Sequence, residues 1–195
     1  GENAINVLGA ADFATDSNAT SQSDFGTPRG LAYDQDSHSL FVTDEISDRV
    51  MVFDVAEITD GEDAIGVLGQ TTFVAGADTT EEDGFHQPEG IFFESGTRKL
   101  YIADAANSRV SVYEMPTLTT SSIDSAHTAG DSYSQSFTVS NSQGIVSLEL
   151  VSGSLPTGLS FSGTELSGTP SAVGTYTFEM RAVDAVILPA QPQGV

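Results

Sequence analysis

Asp34, Asp36 and Glu45 are the acidic residues whose spacing comes nearest to metal chemistry. Counted from Asp34 as the first position, Glu45 falls at the twelfth, where an EF-hand loop takes its bidentate glutamate. The rest of that pattern fails. His38 stands fifth, Ser39 replaces the turn glycine at the sixth position, and the loop would run through a strand. Sixty residues later the same places hold Glu94, Gly96 and Ala105, so the set does not repeat. These carboxylates therefore read as turn residues, with calcium recruitment by the acidic surface left open.

A second pattern does repeat. Asp44 and Arg49 are matched by Asp104 and Arg109 at one spacing across a strand turn. Each reads as an ion pair or a backbone-capping pair within its repeat, not as a catalytic acid with its electrophile; such pairs contribute modestly unless buried. His38, His86 and His127 share neither a repeat position nor a ligand spacing and read as surface or loop residues. No Gly-x-Ser-x-Gly elbow, His-Glu-x-x-His pair or phosphate-cradling glycine loop occurs. The expectation is a chain that is not an enzyme and carries no cofactor. Asn18-Ala19-Thr20 is the single Asn-x-Ser/Thr sequon, and Thr117, Thr119 and Thr120 lie in a Thr/Ser run open to O-linked sugar.

The charge balance bounds the partners. There are 28 acids against 6 bases, a formal net charge of -22. Nucleic-acid binding needs Lys and Arg to replace phosphate counterions, and anionic membranes need the same, so both are disfavoured. With 38% apolar residues among the acids, the charge reads as a solvated surface on a folded protein. No cysteine is present, which removes disulfides, thiolate zinc sites and cysteine nucleophiles. No apolar run approaches the roughly 20 residues of a membrane span, no signal peptide is visible, and Gly1 suggests a processed start or a segment of a longer chain.

What positions these residues is a repeat of sixty residues. Phe25, Pro28 and Gly30 return as Phe85, Pro88 and Gly90; Leu40, Asp44, Arg49, Val50 and Val52 return as Leu100, Asp104, Arg109, Val110 and Val112. Three strands are expected in each unit: 30–34, 39–44 and 49–54, then 90–94, 99–104 and 109–114. A fourth is expected at 64–69, with 4–9 its equivalent. The third strand is apolar on both faces, which suits a strand covered on both sides. A Pro-x-Gly precedes each first strand, where glycine permits φ > 0 or a close backbone approach. A fixed period with several strands per unit is the signature of a propeller-type array.

The stretch from Phe85 to Val110, with its Phe-x-x-Pro-x-Gly, Leu-Tyr-Ile-x-Asp and Asn-x-Arg-Val, resembles the NHL repeat. The first unit departs from it at Ser47, where asparagine is usual. The resemblance covers about residues 1–115 and implies four-stranded β-propeller blades with a binding or scaffolding role. Some relatives of that family are lyases or hydrolases with axial sites drawn from most blades, and only two blades are present here.

From Met115 the composition changes. Residues 116–122 read as an extended linker, followed by short strands at 133–139, 146–151, 159–162 and 175–183 with glycine and proline turns between them. Leu155-Pro156-Thr157-Gly158-Leu159 and Ser167-Gly168-Thr169-Pro170 resemble the signatures of the immunoglobulin-like domain of bacterial surface proteins. That resemblance covers about residues 123–185 and implies an extracellular β-sandwich that spaces or adheres. The family continues through one more strand after Asp184, where this chain meets Pro189 and Pro192.

The fold class expected is all-β: two NHL-type blades of an incomplete propeller over 1–115, a linker at 116–122, and a small Ig-like sandwich over 123–195. The function expected is an extracellular structural or adhesive protein of the cell surface. The alternatives are a carbohydrate- or ligand-binding module of a larger surface protein and an enzyme fragment. Ala4, Ile5, Asn6, Val7, Leu8 and Gly9 form a fourth-strand sequence with no blade before it, and the second blade has no such strand after it. Head-to-tail self-association by strand addition follows as an expectation, to a ring if its rotation closes and a filament if it does not.

Overall fold

The computed structural model describes residues 2–15, 19–118, 128–142 and 146–184. Among them every regular element is a strand, and no helix is long and apolar enough to cross a membrane. The chain forms two compact units, one built on Gly1–Glu114 and the other on Met115–Val186.

The first unit holds two antiparallel sheets. β1 (Pro28–Asp34), β2 (Ser39–Asp44), β3 (Arg49–Asp54) and β4 (Gly66–Leu68) lie side by side in that order, and β5 (Pro88–Glu94), β6 (Lys99–Asp104) and β7 (Arg109–Glu114) repeat the first three. The registers repeat as well: Asp44 faces Arg49 and Phe41 faces Val52, as Asp104 faces Arg109 and Tyr101 faces Val112. Both first strands have an irregularity directly after their proline, between Pro28 and Leu31 and between Pro88 and Ile91. Proline has no N–H to give the ladder, so pairing resumes three residues on.

Residues opposite one another share a sheet face. On the first sheet Ala32, Phe41, Thr43, Val50 and Val52 make one face, and all are buried. The second sheet lies on this face through Ile91 and Phe93. Phe41 and Phe93 stack with centroids 6.0 Å apart, the Thr43 hydroxyl donates to the Glu89 carbonyl at 2.7 Å, and Arg98 pairs with the buried Asp34 at 2.7 Å. The opposite face carries a separate cluster of Phe25, Val42, Met51, Phe53 and Ala64, with Leu8, Leu40, Val55 and Phe73 packed against it.

The expected fourth strands are corrected in this unit, and the two Pro-x-Gly glycines prove unlike each other. The fourth strand is only Gly66–Leu68, and Ala4–Gly9, expected as its equivalent, is irregular backbone. Gly66–Leu68 forms a ladder with β3; Ala4–Gly9 forms none and is held by the Asp60 carboxylate and the Gly61 backbone. Neither Gly30 nor Gly90 has positive φ. Gly30 is required by a close approach, since a Cβ there would stand 2.5 Å from the Glu89 carbonyl oxygen of the second sheet. At Gly90 a Cβ would meet only Ala103, at 3.6 Å.

The second unit contains β8 (Thr117–Leu118), β9 (Tyr133–Ser136), β10 (Val139–Ser140), β11 (Val146–Gly153), β12 (Leu159–Ser162), β13 (Glu165–Gly168) and β14 (Phe178–Asp184). β12, β13 and β9 make one sheet, β11 pairs with β14, and β10 with β8. Tyr133, Phe137, Leu148 and Leu166 are its buried core. The two signature turns pack on each other: Leu159 pairs with Gly168, and Thr169 N donates to Gly158 O at 3.1 Å. Gly158 and Gly168 both have positive φ, and a Cβ on either would lie about 2 Å from the other turn's backbone (2.1 Å from Thr169 O, 2.0 Å from Gly158 O), so only glycine suits both places. β8 falls within the stretch expected as a linker, and β13 is a strand where a turn was expected; the expected strand at 175–183 begins at Phe178.

Candidate interaction surface

The Asp–Arg pairs bind each repeat's long polar loop to its sheet. Arg49 Nε donates to Asp44 Oδ2 at 3.0 Å, with both side chains fully buried. Asp44 also accepts the N–H groups of Gly26 and Thr27. The Arg49 guanidinium donates further to the carbonyls of Ser21, Asp24 and Phe73. Arg109 repeats this with Asp104 at 2.7 Å and with the carbonyls of Thr80, Glu81 and Gly84. Ser21 and Asp24 lie sixty residues before Glu81 and Gly84, so the arginine reaches the same loop positions in both repeats. Among the described residues Phe73 has no counterpart over Arg109, whose side chain is 31% exposed.

The calcium-like set is not brought together. Asp34 accepts from Ser37 and Asp36 N and pairs with Arg98, which Asp36 also approaches, whereas Glu45 pairs with Arg29 at the opposite end of β2. Among the described residues no group of three or more His, Asp or Glu side chains is placed to hold a metal ion. Asn18, Thr119 and Thr120 lie outside the described residues, as does His127, and Thr117 stands in β8.

Ala4–Gly9 is tied to its own unit. Asp60 Oδ1 accepts from Asn6 Nδ2 and from Val7 N, and Gly61 N donates to Val7 O. Leu8 packs on the Phe25 cluster, while Ile5 is almost wholly exposed.

The feature that sequence reasoning did not single out is an open apolar face. Val110 and Val112 are 62% and 50% exposed, and Phe92 beside them 63%. Their counterparts Val50, Val52 and Ala32 are buried under the second sheet. On the first sheet Leu31 is 66% exposed and Tyr33 46%, although their counterparts Ile91 and Phe93 pack on the first sheet. β7 accordingly alternates half-buried and exposed along its length, where β3 is buried at all but its last residue. The signal was available in the sequence: one apolar pattern stands at two places and only one has a following repeat to cover it.

Two side chains report the local electrostatics. Burial raises the Asp48 carboxyl above the usual carboxylate value, against the bond it accepts from Gln87 N at 2.7 Å. Burial likewise pushes the Tyr113 phenol up to about 12, and its hydroxyl is buried without a hydrogen-bond partner.

A search of the curated proteins returns no match. Residues 116–187 match the family model He_PIG, described as "Putative Ig domain", so the second unit is similar to that immunoglobulin-like family over its length.

Proposed function

We propose that this chain is an extracellular structural or adhesive protein that joins NHL-type propeller blades to the Ig-like unit and assembles head to tail at the cell surface. The observation that carries the reading is the agreement of the two sheets in strand order, register and Asp–Arg loop ties at a spacing of sixty residues. An array of such sheets is a scaffold, and an Ig-like unit beside it suits a spacer or adhesin. The large negative charge keeps such a surface protein soluble and turns it away from nucleic acid. In the assembly Ala4–Gly9 adds as a fourth strand beside β7 in another copy, as Gly66–Leu68 adds to β3.

Sedimentation velocity and negative-stain imaging of the full chain test the assembly, with a deletion of residues 1–6 as the comparison. The deletion stops at Asn6 because Leu8 belongs to the first unit's core. Assembly that weakens on deletion supports strand addition. Antibody labelling of intact source cells, lost after protease shaving, tests the location. A defined ligand from a glycan array or a calcium titration, with a monodisperse monomer, would replace this reading with a binding module.

A further inference from the structure

We infer that the open face of the second sheet, centred on Phe92, Val110 and Val112, is a docking surface for the Leu31/Tyr33 face of the first sheet of a second copy of this chain. The inference deepens the assembly reading and rests on it only for the second copy; the contact is face to face and does not require strand addition.

The chain contains the template for this contact. The first sheet's Ala32/Val50/Val52 face is closed by a sheet that presents Ile91 and Phe93. Shifted by sixty residues, the covered face becomes Phe92/Val110/Val112 and the covering pair becomes Leu31 and Tyr33. These are the large apolar residues left exposed on the two sheets. The secondary contacts shift with them. Phe73 packs on the Phe25 cluster and its carbonyl accepts from Arg49; its counterpart Phe13 is 59% exposed, and among the described residues Arg109 has no equivalent acceptor. Arg98 meets Asp34 across the internal contact, and the equivalent places at the open ends hold His38 and Glu94, again a base opposite an acid. Gly30 admits the Glu89 carbonyl because it has no Cβ, and Gly90 keeps the same opening, with only the Ala103 side chain near it at 3.6 Å.

A contact between unlike faces repeats from copy to copy and does not close at a dimer by itself. Each copy carries a net charge of -22, so association strengthens with added salt as mutual repulsion is screened.

The test uses the full chain with two double variants, Val110→Arg/Val112→Arg and Leu31→Arg/Tyr33→Arg, each placed at exposed residues so that the fold is retained. Added arginine lowers the net negative charge, so a loss of association cannot come from stronger repulsion. Sedimentation velocity from ~1 μM to ~1 mM brackets weak contacts between copies. The wild type is expected to grow into dimers and larger species. Each double variant alone is expected to bind itself at least about thirtyfold more weakly, the effect of losing a central apolar anchor. Mixed one to one, the two variants are expected to form a dimer that grows no further, because each retains one intact face. Gly90→Val, tolerated by an extended backbone, is expected to block association of a folded chain by filling the opening. Deletion of residues 1–6 is expected to leave association measurable. A wild type that stays monomeric overturns both this contact and the assembly reading. Double variants that associate like the wild type, or that fail to dimerise when mixed, overturn the docking surface; if deletion of residues 1–6 then abolishes assembly, strand addition stands without it.

Discussion

Arg49 and Arg109 occupy the same place in two copies of one motif, and their burial makes them unequal. Replacing Arg49 with methionine keeps an unbranched side chain as far as the Nε position and removes the guanidinium. Asp44 then remains fully buried with the N–H groups of Gly26 and Thr27 as its donors. Breaking a buried pair in this way costs about 3–5 kcal/mol. The carbonyls of Ser21, Asp24 and Phe73 also lose their donor, at about 1 kcal/mol for any that water does not reach. A total near 4 kcal/mol follows if the loops admit water as they loosen. For Arg109→Met the guanidinium is already about one-third exposed, Asp104 keeps bonds from His86 N and Asn107 Nδ2, and the loop carbonyls lie near solvent. That loss should be about 1–2 kcal/mol. The difference, about 2–3 kcal/mol, corresponds to roughly 10 °C or more in midpoint for a unit of this size. Near-UV circular dichroism of the full chain at low concentration reads it through Tyr and Phe. Hydrogen exchange at β3 and β7 localises it. If Arg109→Met proves as costly as Arg49→Met, burial does not govern the strength of these ties and the reasoning fails.

Gly30→Val should lower the first unit's thermal midpoint sharply because the Glu89 carbonyl occupies the space, while Gly90→Val should change it by less than about 0.5 kcal/mol; equal losses would show that the sheets' approach is not the constraint. Tyr113→Phe should stabilise the unit by about 1 kcal/mol, since it removes a buried hydroxyl with no partner and restores the residue type of Phe53; a lower urea midpoint would refute this. Asp48→Asn should raise the midpoint at pH 7 and do much less at pH 3. The folded pKa lies above the usual 3.8, so the wild type's stability is complete below that value and falls as pH rises through the folded pKa. The amide also accepts from Gln87 N and suits a φ of 49°; a gain independent of pH would remove burial of the charge as its cause.

How much of this was legible depends on what each feature needed. β2, β3, β6 and β7 start and end where the sequence places them, because each is bounded by an Asp or Arg that ties a turn and filled by apolar residues at fixed register. The Asp–Arg spacing was legible for the same reason; the carbonyls that complete each tie were not, because they come from loops whose sequences differ between repeats. Gly30 was legible as a constraint but not in kind, since a close approach and a positive φ leave the same mark on a sequence. Thr117–Leu118 was hidden by a Thr/Ser-rich composition that a short edge strand can share with a linker.

The least legible feature was exposure, because a repeat encodes a face without encoding what stands next to it. Val50 and Val110 are the same residue in the same strand position, yet one is wholly buried and the other mostly exposed. In a stacked array each unit contacts only its neighbours, and a terminal unit remains soluble when its outer face is polar. The second sheet has not made that change: Val110 and Val112 retain the side chains of the covered position, and phenylalanine at 92 is larger than the alanine at 32. A face that keeps its apolar residues while lying open has the composition of an interior contact. The acids that hold the rest of this unit in water stand mostly in its loops and not on this face.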